Sequence, residues 1–106
     1  MEHKEIVVYI TASNEDEAAR IAKALVEARL AGCVNIIRNI RSIYNWQGRI
    51  EDEPEVLMVV KTQKSLFEEL SKKVRELHSY SVPEIIALPI VEGSQDYIRW
   101  LKEVTG

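Results

Sequence analysis

Cysteine is nearly absent from this chain: one, Cys33, in 106 residues. An internal disulfide is therefore excluded, and the usage fits a reducing compartment, the cytoplasm. The start, Met1-Glu-His-Lys-Glu5, is charged and runs directly into an apolar stretch, which is not the pattern of a signal peptide. No apolar run approaches the ~20 residues of a membrane span. Lys and Arg do not cluster and the formal charge is −3, which argues against a nucleic-acid partner. The four glycines form no phosphate-binding loop, and no Gly-x-Ser-x-Gly motif is present. Ser42, Ser65, Ser71, Ser79, Ser81 and Ser94 all have capping, turn or strand explanations. Nothing here is organised for nucleophilic catalysis.

What remains is ample for one domain, residues 1–106. Apolar residues make up 46% of the chain, enough for a single core. Ile6–Ile10 is a continuous apolar run and reads as an interior strand covered on both faces. Asn14 with Glu17 marks a helix start. Ala18, Ile21, Ala22 and Leu25 form that helix's apolar face, with Asp16–Arg20 and Lys23–Glu27 as outward charge pairs and Gly32 as the stop. Two long strands then fold back near Gln47-Gly48. Each arm is about 14 residues, on the order of 45 Å at about 3.3 Å per residue. On the outgoing arm Val34, Ile36, Ile40, Tyr44 and Trp46 share one phase, interrupted by Arg38, while Ile37 and Ile43 take the other. That conflict predicts a bulge between Ile36 and Ile43, or a tip buried on both faces. Pro54 marks an edge or bulge on the returning arm, and Val56–Val60 re-enters the sheet.

Thr62 or Ser65 opens a second helix, Ser65 with Glu68 forming a capping box, and Leu66, Leu70, Val74 and Leu77 give its apolar stripe. It ends near His78. An extended connector through Pro83 leads to a fourth strand, Glu84–Val91, which Pro89 places at an edge. Ser94 caps a final helix carrying Tyr97, Ile98, Leu101 and Val104. The order β-α-β-β-α-β plus a C-terminal helix is the ferredoxin-like split βαβ pattern of the α+β class, with an antiparallel sheet ordered 4-1-3-2.

Several residues stand out for chemistry. His78, Tyr80 and Glu84 either line the mouth of a cleft or make up a helix end, a packed ring and a rigid turn. Lys61 either binds an anion beside a helix start or carries its charge out to water. Cys33 is either a soft metal ligand or a small buried hydrophobe. Glu51, Asp52, Glu53 and Glu55 either attract a hard cation or protect a strand edge. Tyr44 and Trp46 either stack on a ligand or, the favoured reading, join Ile43 in an interface with other copies of the chain. Trp100 carries the same two options.

Taken together, five segments resemble the CutA family of divalent-cation tolerance proteins: Ala31-Gly-Cys-Val-Asn-Ile36; Ser42, Tyr44, Trp46, Gly48 and Ile50-Glu51; Glu55 with Lys61-Thr62; His78, Tyr80 and Pro83-Glu84-Ile85; and Gly93, Tyr97 and Trp100. The resemblance implies a non-enzymatic homotrimer whose long hairpins pair around the threefold axis. It also implies likeness to the PII signalling proteins, which bind small effectors between subunits. Carried over by position, it implies an intersubunit cleft with Cys33, Lys61, His78, Tyr80, Glu84 and Trp100. Members credited with copper binding carry a cysteine at the end of strand 1 and two adjacent histidines. Here those positions hold Ile10 and Leu77-His78, leaving His78 and Cys33 as metal donors. The resemblance thus implies weak or indirect Cu²⁺ binding and no required cofactor. The alternative is a PII-like module binding an anionic small molecule, anchored by Lys61.

Overall fold

The computed structural model describes residues 3–106, and the charged start Met1-Glu2 lies outside them. The elements run β1 (Glu5–Ala12), α1 (Glu15–Glu27), β2 (Cys33–Trp46), β3 (Arg49–Gln63), α2 (Phe67–Leu77), β4 (Ile85–Pro89) and α3 (Gln95–Val104), with a single 3-10 turn at Lys64–Leu66. The sheet is ordered β2-β3-β1-β4 and every pairing is antiparallel. This is the expected 4-1-3-2 order read from the other edge.

One face of the sheet carries the core. Ile6, Val8, Ile10 and Ala12 of β1 meet Val56, Met58, Val60 and Thr62 of β3. Against them pack Ala18, Ile21 and Leu25 of α1 and Leu70 and Val74 of α2. The other face is not covered by the chain. Along β1 buried and half-buried residues alternate, so β1 is interior by hydrogen bonding but is packed on one side only. Val7, Tyr9, Leu57 and Val59 lie half-buried on the uncovered side, with Ile37, Ile86 and Leu88 exposed beside them. The expectation of two covered faces holds for the ladder and fails for the packing, because both crossover helices fall on the same side.

The hairpin is long, and the molecule measures 44 × 28 × 23 Å. β1 pairs with β3 only from Val56 to Gln63. Beyond Val56 the two arms have only each other as ladder partners. The turn at Gln47-Gly48 has φ of 52° and 81°, a two-residue primed turn whose twist suits a hairpin. The bulge falls where the phase conflict put it. Ile37 faces Leu57 and Ile40 faces Glu55, so Arg38 and Asn39 together oppose Val56. Asn39 is left-handed, with φ of 61°. The extra residue re-aims Arg38 toward α1, where its guanidinium lies 3.6 Å from Glu15.

The bulge also overturns one sequence expectation. Val34 and Ile36 share the core face with Val60 and Met58, but past the bulge the even positions change sides. Ile40, Ser42, Tyr44 and Trp46 now share a ribbon face with Glu55, Glu53, Glu51 and Arg49, while Ile43 shares the opposite one with Asp52 and Ile50. Ile43 and the pair Tyr44–Trp46 therefore do not form one patch.

Helix ends show further differences. The Asn14 side chain accepts from Glu17 N–H at 2.8 Å, as a cap should. Asp16–Arg20 and Lys23–Glu27 make no ion pairs among the described residues; Arg20 instead lies 3.9 Å from Glu17. Arg29, not Gly32, takes the left-handed position after α1 (φ 60°). Its guanidinium donates to Glu103 O and Gly106 O at 2.7 and 2.8 Å, tying the end of α3 to the end of α1. Gly32 serves a packing role, since a Cβ there would lie 2.5 Å from Leu101 Cδ1. The Ser65–Glu68 capping box does not form. β3 continues to Gln63, buried Thr62 donates to Leu30 O at 2.7 Å, and α2 starts at Phe67 with no side-chain cap.

Candidate functional site

The connector after α2 wraps around the end of β1 and is held there by a buried glutamate. Glu17 Oε1 accepts from Ser13 N–H and Oγ–H at 3.1 and 2.9 Å, and Oε2 accepts from Ser79 N–H at 2.8 Å. Burial alone would raise its pKa. The hydrogen bonds from Ser79 and Ser13 outweigh that and hold it at about 2. One carboxylate thereby joins the β1–α1 loop, α1 and the connector.

His78 completes the joint. Its Nδ1 accepts from Tyr80 N–H at 3.1 Å, so the ring proton sits on Nε2, which donates to Thr11 O at 2.8 Å. The side chain is fully buried and both ring nitrogens are in use. The tilted Tyr80 ring lies 4.7 Å from it. His78 thus sets the position of Tyr80, whose hydroxyl donates to Glu55 Oε2 at 2.7 Å.

Beyond Tyr80 the connector and the hairpin tip enclose a cleft of about 730 Å³. Tyr80, Glu84, Glu55, Tyr44, Trp46 and Arg41 contribute to its lining. Burial and the neighbouring Glu55 push the Tyr80 hydroxyl well above its ordinary pKa. Glu84 is raised by burial and by the charge of Glu55. Tyr44 is raised by burial and then by Glu55, Glu51 and Glu53. The cleft's potential is therefore negative. Arg41 does not offset it, because its guanidinium forms a two-point pair with Asp52 at 2.8 and 2.6 Å.

The remaining residues singled out in the sequence lie at the other end of the sheet. Cys33 is the cross-strand partner of Lys61. Lys61 Nζ donates to Asn35 Oδ1, and the Cys33 thiol points to the same oxygen at 3.9 Å. Tyr97 is raised by burial and by its closeness to Cys33, and the ring of Tyr97 lies 5.3 Å from that of Trp100. Lys61 and Glu55 are six positions apart on β3, about 20 Å at roughly 3.3 Å per residue. The structure therefore divides the six expected cleft residues. His78, Tyr80 and Glu84 gather at one end, and Cys33, Lys61 and Trp100 at the other. Within one chain His78 and Cys33 do not share a site, and among the described residues no three His, Cys, Asp or Glu side chains converge as a metal cluster. Both ends open toward the uncovered sheet face. Sequence reasoning missed Glu17 and Asn35, whose roles depend on partners distant in the chain.

Among the described residues no helix is long and apolar enough to cross a membrane. Sheet order, crossovers and the two-ended layout define a ferredoxin-like α+β domain with an extended β2–β3 hairpin. The chain belongs to the family of the CutA1 divalent ion tolerance proteins, whose model matches residues 6–104. It is 53% identical over 102 residues to the divalent-cation tolerance protein CutA of Thermus thermophilus, covering 96% of this chain and 99% of that one. The solved structure of the Thermus protein superposes with a TM-score of 0.94 over the same shares. CutA1 from Oryza sativa superposes with a TM-score of 0.95 at 41% identity, covering 98% of this chain and 95% of that one. Human protein CutA is 50% identical over 97 residues, 92% of this chain but 54% of the human protein. The chain thus spans about half the length of that relative.

Proposed function

We propose that this protein acts in divalent-cation tolerance as a non-catalytic homotrimer, responding to copper through weak or indirect binding. The observation that carries the assembly is the uncovered sheet face. Ile37, Ile86 and Leu88 are exposed there beside half-buried Val7, Tyr9, Leu57 and Val59, and on the opposite face of the tip Ile43 and Ile50 are 64% and 73% exposed. Apolar surface of this kind marks an interaction site. The bare hairpin edges call for the same cover. The family resemblance is what supports three copies rather than two. Such an assembly would also let the Lys61 end of one copy approach the Tyr80 end of another. Weak copper binding follows from the state of His78, since a metal ion there must displace Thr11 O or Tyr80 N–H. Sedimentation velocity tests the assembly, and a monomer at micromolar concentration overturns it. Calorimetry with Cu²⁺ on the wild type and His78→Ala tests the metal reading. Tight binding lost in the variant would contradict a weak or indirect response.

A second reading, a PII-like module for an anionic small molecule, is favoured by one observation. Lys61 bonds a neutral amide oxygen and forms no salt bridge among the described residues. Its charge is available to an anion. A panel of nucleotides and organic anions tests this, with Lys61→Ala as control. No saturable ligand, or one held equally by the variant, removes the reading.

A further inference from the structure

We propose that α3 is a strap, clasped to the body of the fold by Arg29 and able to lift as one unit while the sheet, α1 and α2 stay folded. The clasp joins the ends of α1 and α3, at the end of the sheet opposite the acidic cleft. It requires neither a metal nor an anion and stands independently of the tolerance reading.

Packing holds α3 lightly. Leu101 is its one buried residue, against five in α1 and three in α2. Leu101 packs at Gly32 with Val104 and Trp100 beside it, outside the core cluster that β1, β3, α1 and α2 share. β4 ends at Pro89. From there to α3, the one backbone bond to the sheet among the described residues is Ile90 N–H to Glu5 O, at 3.0 Å. A helix with so little buried surface opens at low cost unless something else ties it.

Polar ties supply that hold, and they gather at one end. The Arg29 guanidinium donates to Glu103 O and Gly106 O, and its backbone carbonyl accepts from Gly106 N–H at 2.9 Å. Gln63 Nε2 donates to Thr105 Oγ1 at 2.7 Å. A guanidinium over the last carbonyls also meets the negative end of the helix dipole. Three of these four bonds run through Arg29, whose backbone stands in the left-handed region at φ of 60°. On the side facing β1 the fit is incomplete. Glu5 Oε2 is the one buried side-chain oxygen without a donor among the described residues, and Lys102 Nζ stops 4.0 Å away. A nearer approach of α3 would close that gap, and a carboxylate oxygen left so is costly. The strap is thus fixed at its far end and loosely seated along its body. Tyr97 lies close to Cys33 and Trp100 beside Gly32, so lifting α3 would bare the start of β2 next to Lys61.

Amide hydrogen exchange on the full chain tests this. Amides of 98–104 should exchange at least about tenfold faster than those of β1, since their opening needs no global unfolding. Arg29→Gly is the decisive variant, because glycine accepts φ of 60° without strain and so removes the clasp while easing the backbone. It should speed exchange in α3 by about another tenfold and leave β1 unchanged. Arg29→Lys keeps the charge but lacks the planar fork, and should fall between. Urea denaturation checks that the variants fold, and the wild-type comparison keeps the test valid should Arg29→Gly unfold. Equal exchange in α3 and β1 of the wild type overturns the proposal, as does an Arg29→Gly variant whose α3 exchanges at the wild-type rate. Acceleration of β1 together with α3 overturns it too, because the clasp would then belong to the whole fold. Exchange in α3 that rises on dilution of the wild type overturns it in favour of a contact with another copy.

Discussion

The two halves of the β2–β3 hairpin share a ladder and differ in almost everything else. At the base, Met58 and Val60 are fully buried between sheet and helices. At the tip, Ile43 and Ile50 stand in water. The backbone hydrogen bonds are equivalent in kind, so pairing does not decide burial. Burial is decided by what lies over each face. The base is held by its own chain, and the tip waits for another. The same ribbon therefore serves folding at one end and recognition at the other.

The comparison breaks if substitutions at the tip cost the isolated chain as much as those at the base. Met58→Ala should lower unfolding stability by about 2–5 kcal/mol, measured by urea denaturation. Next comes Glu17, which anchors the connector around the end of β1. Its folded pKa of about 2 lies below its ordinary 4.5, so its contribution is complete above pH 4.5 and is lost as pH falls toward 2. The linked loss is about 3 kcal/mol. Denaturation midpoints across that window should show it in the wild type and not in Glu17→Gln. Gly32→Ala, at the start of β2, should cost about 1–3 kcal/mol, because the new Cβ meets the buried Leu101 side chain. Ile50→Ser should change the stability of the dissociated chain by no more than about 0.5 kcal/mol, while sedimentation shows weaker association. A large stability loss without a change in association would show that the tip belongs to the fold after all.

Much of this was legible in the residues. Sheet order followed from two wholly apolar runs and two strands marked as edges by proline or alternation. The bulge announced itself as a phase conflict, because a period of two tolerates no silent insertion. Its consequence was harder to see. Reading Tyr44 and Trp46 in phase with Val34 required ignoring the very insertion the pattern demanded. The Ser65 cap failed because the ladder to β1 carries β3 on to Gln63, and tertiary pairing outweighs a local side-chain bond. Glu17 was read only as part of a helix-start pattern with Asn14. Its main partner is Ser79, 62 residues away, and no local pattern carries that information. For the same reason His78 passed for a free donor, although its Nε2 meets Thr11 O from 67 residues away.

The bulge at Arg38-Asn39 also has a meaning for inheritance. Deleting Asn39 would put Arg38 opposite Val56 and leave Ile40 opposite Glu55 and Tyr44 opposite Glu51. Base, turn and every tip pair would survive, and each tip side chain would keep its face, because cross-strand partners share one. What would go is the local bend and extra twist that a bulge gives its strand, and with it the approach of Arg38 to Glu15. A lineage that lost this codon would keep the fold and every contact residue and swing the whole tip in one step.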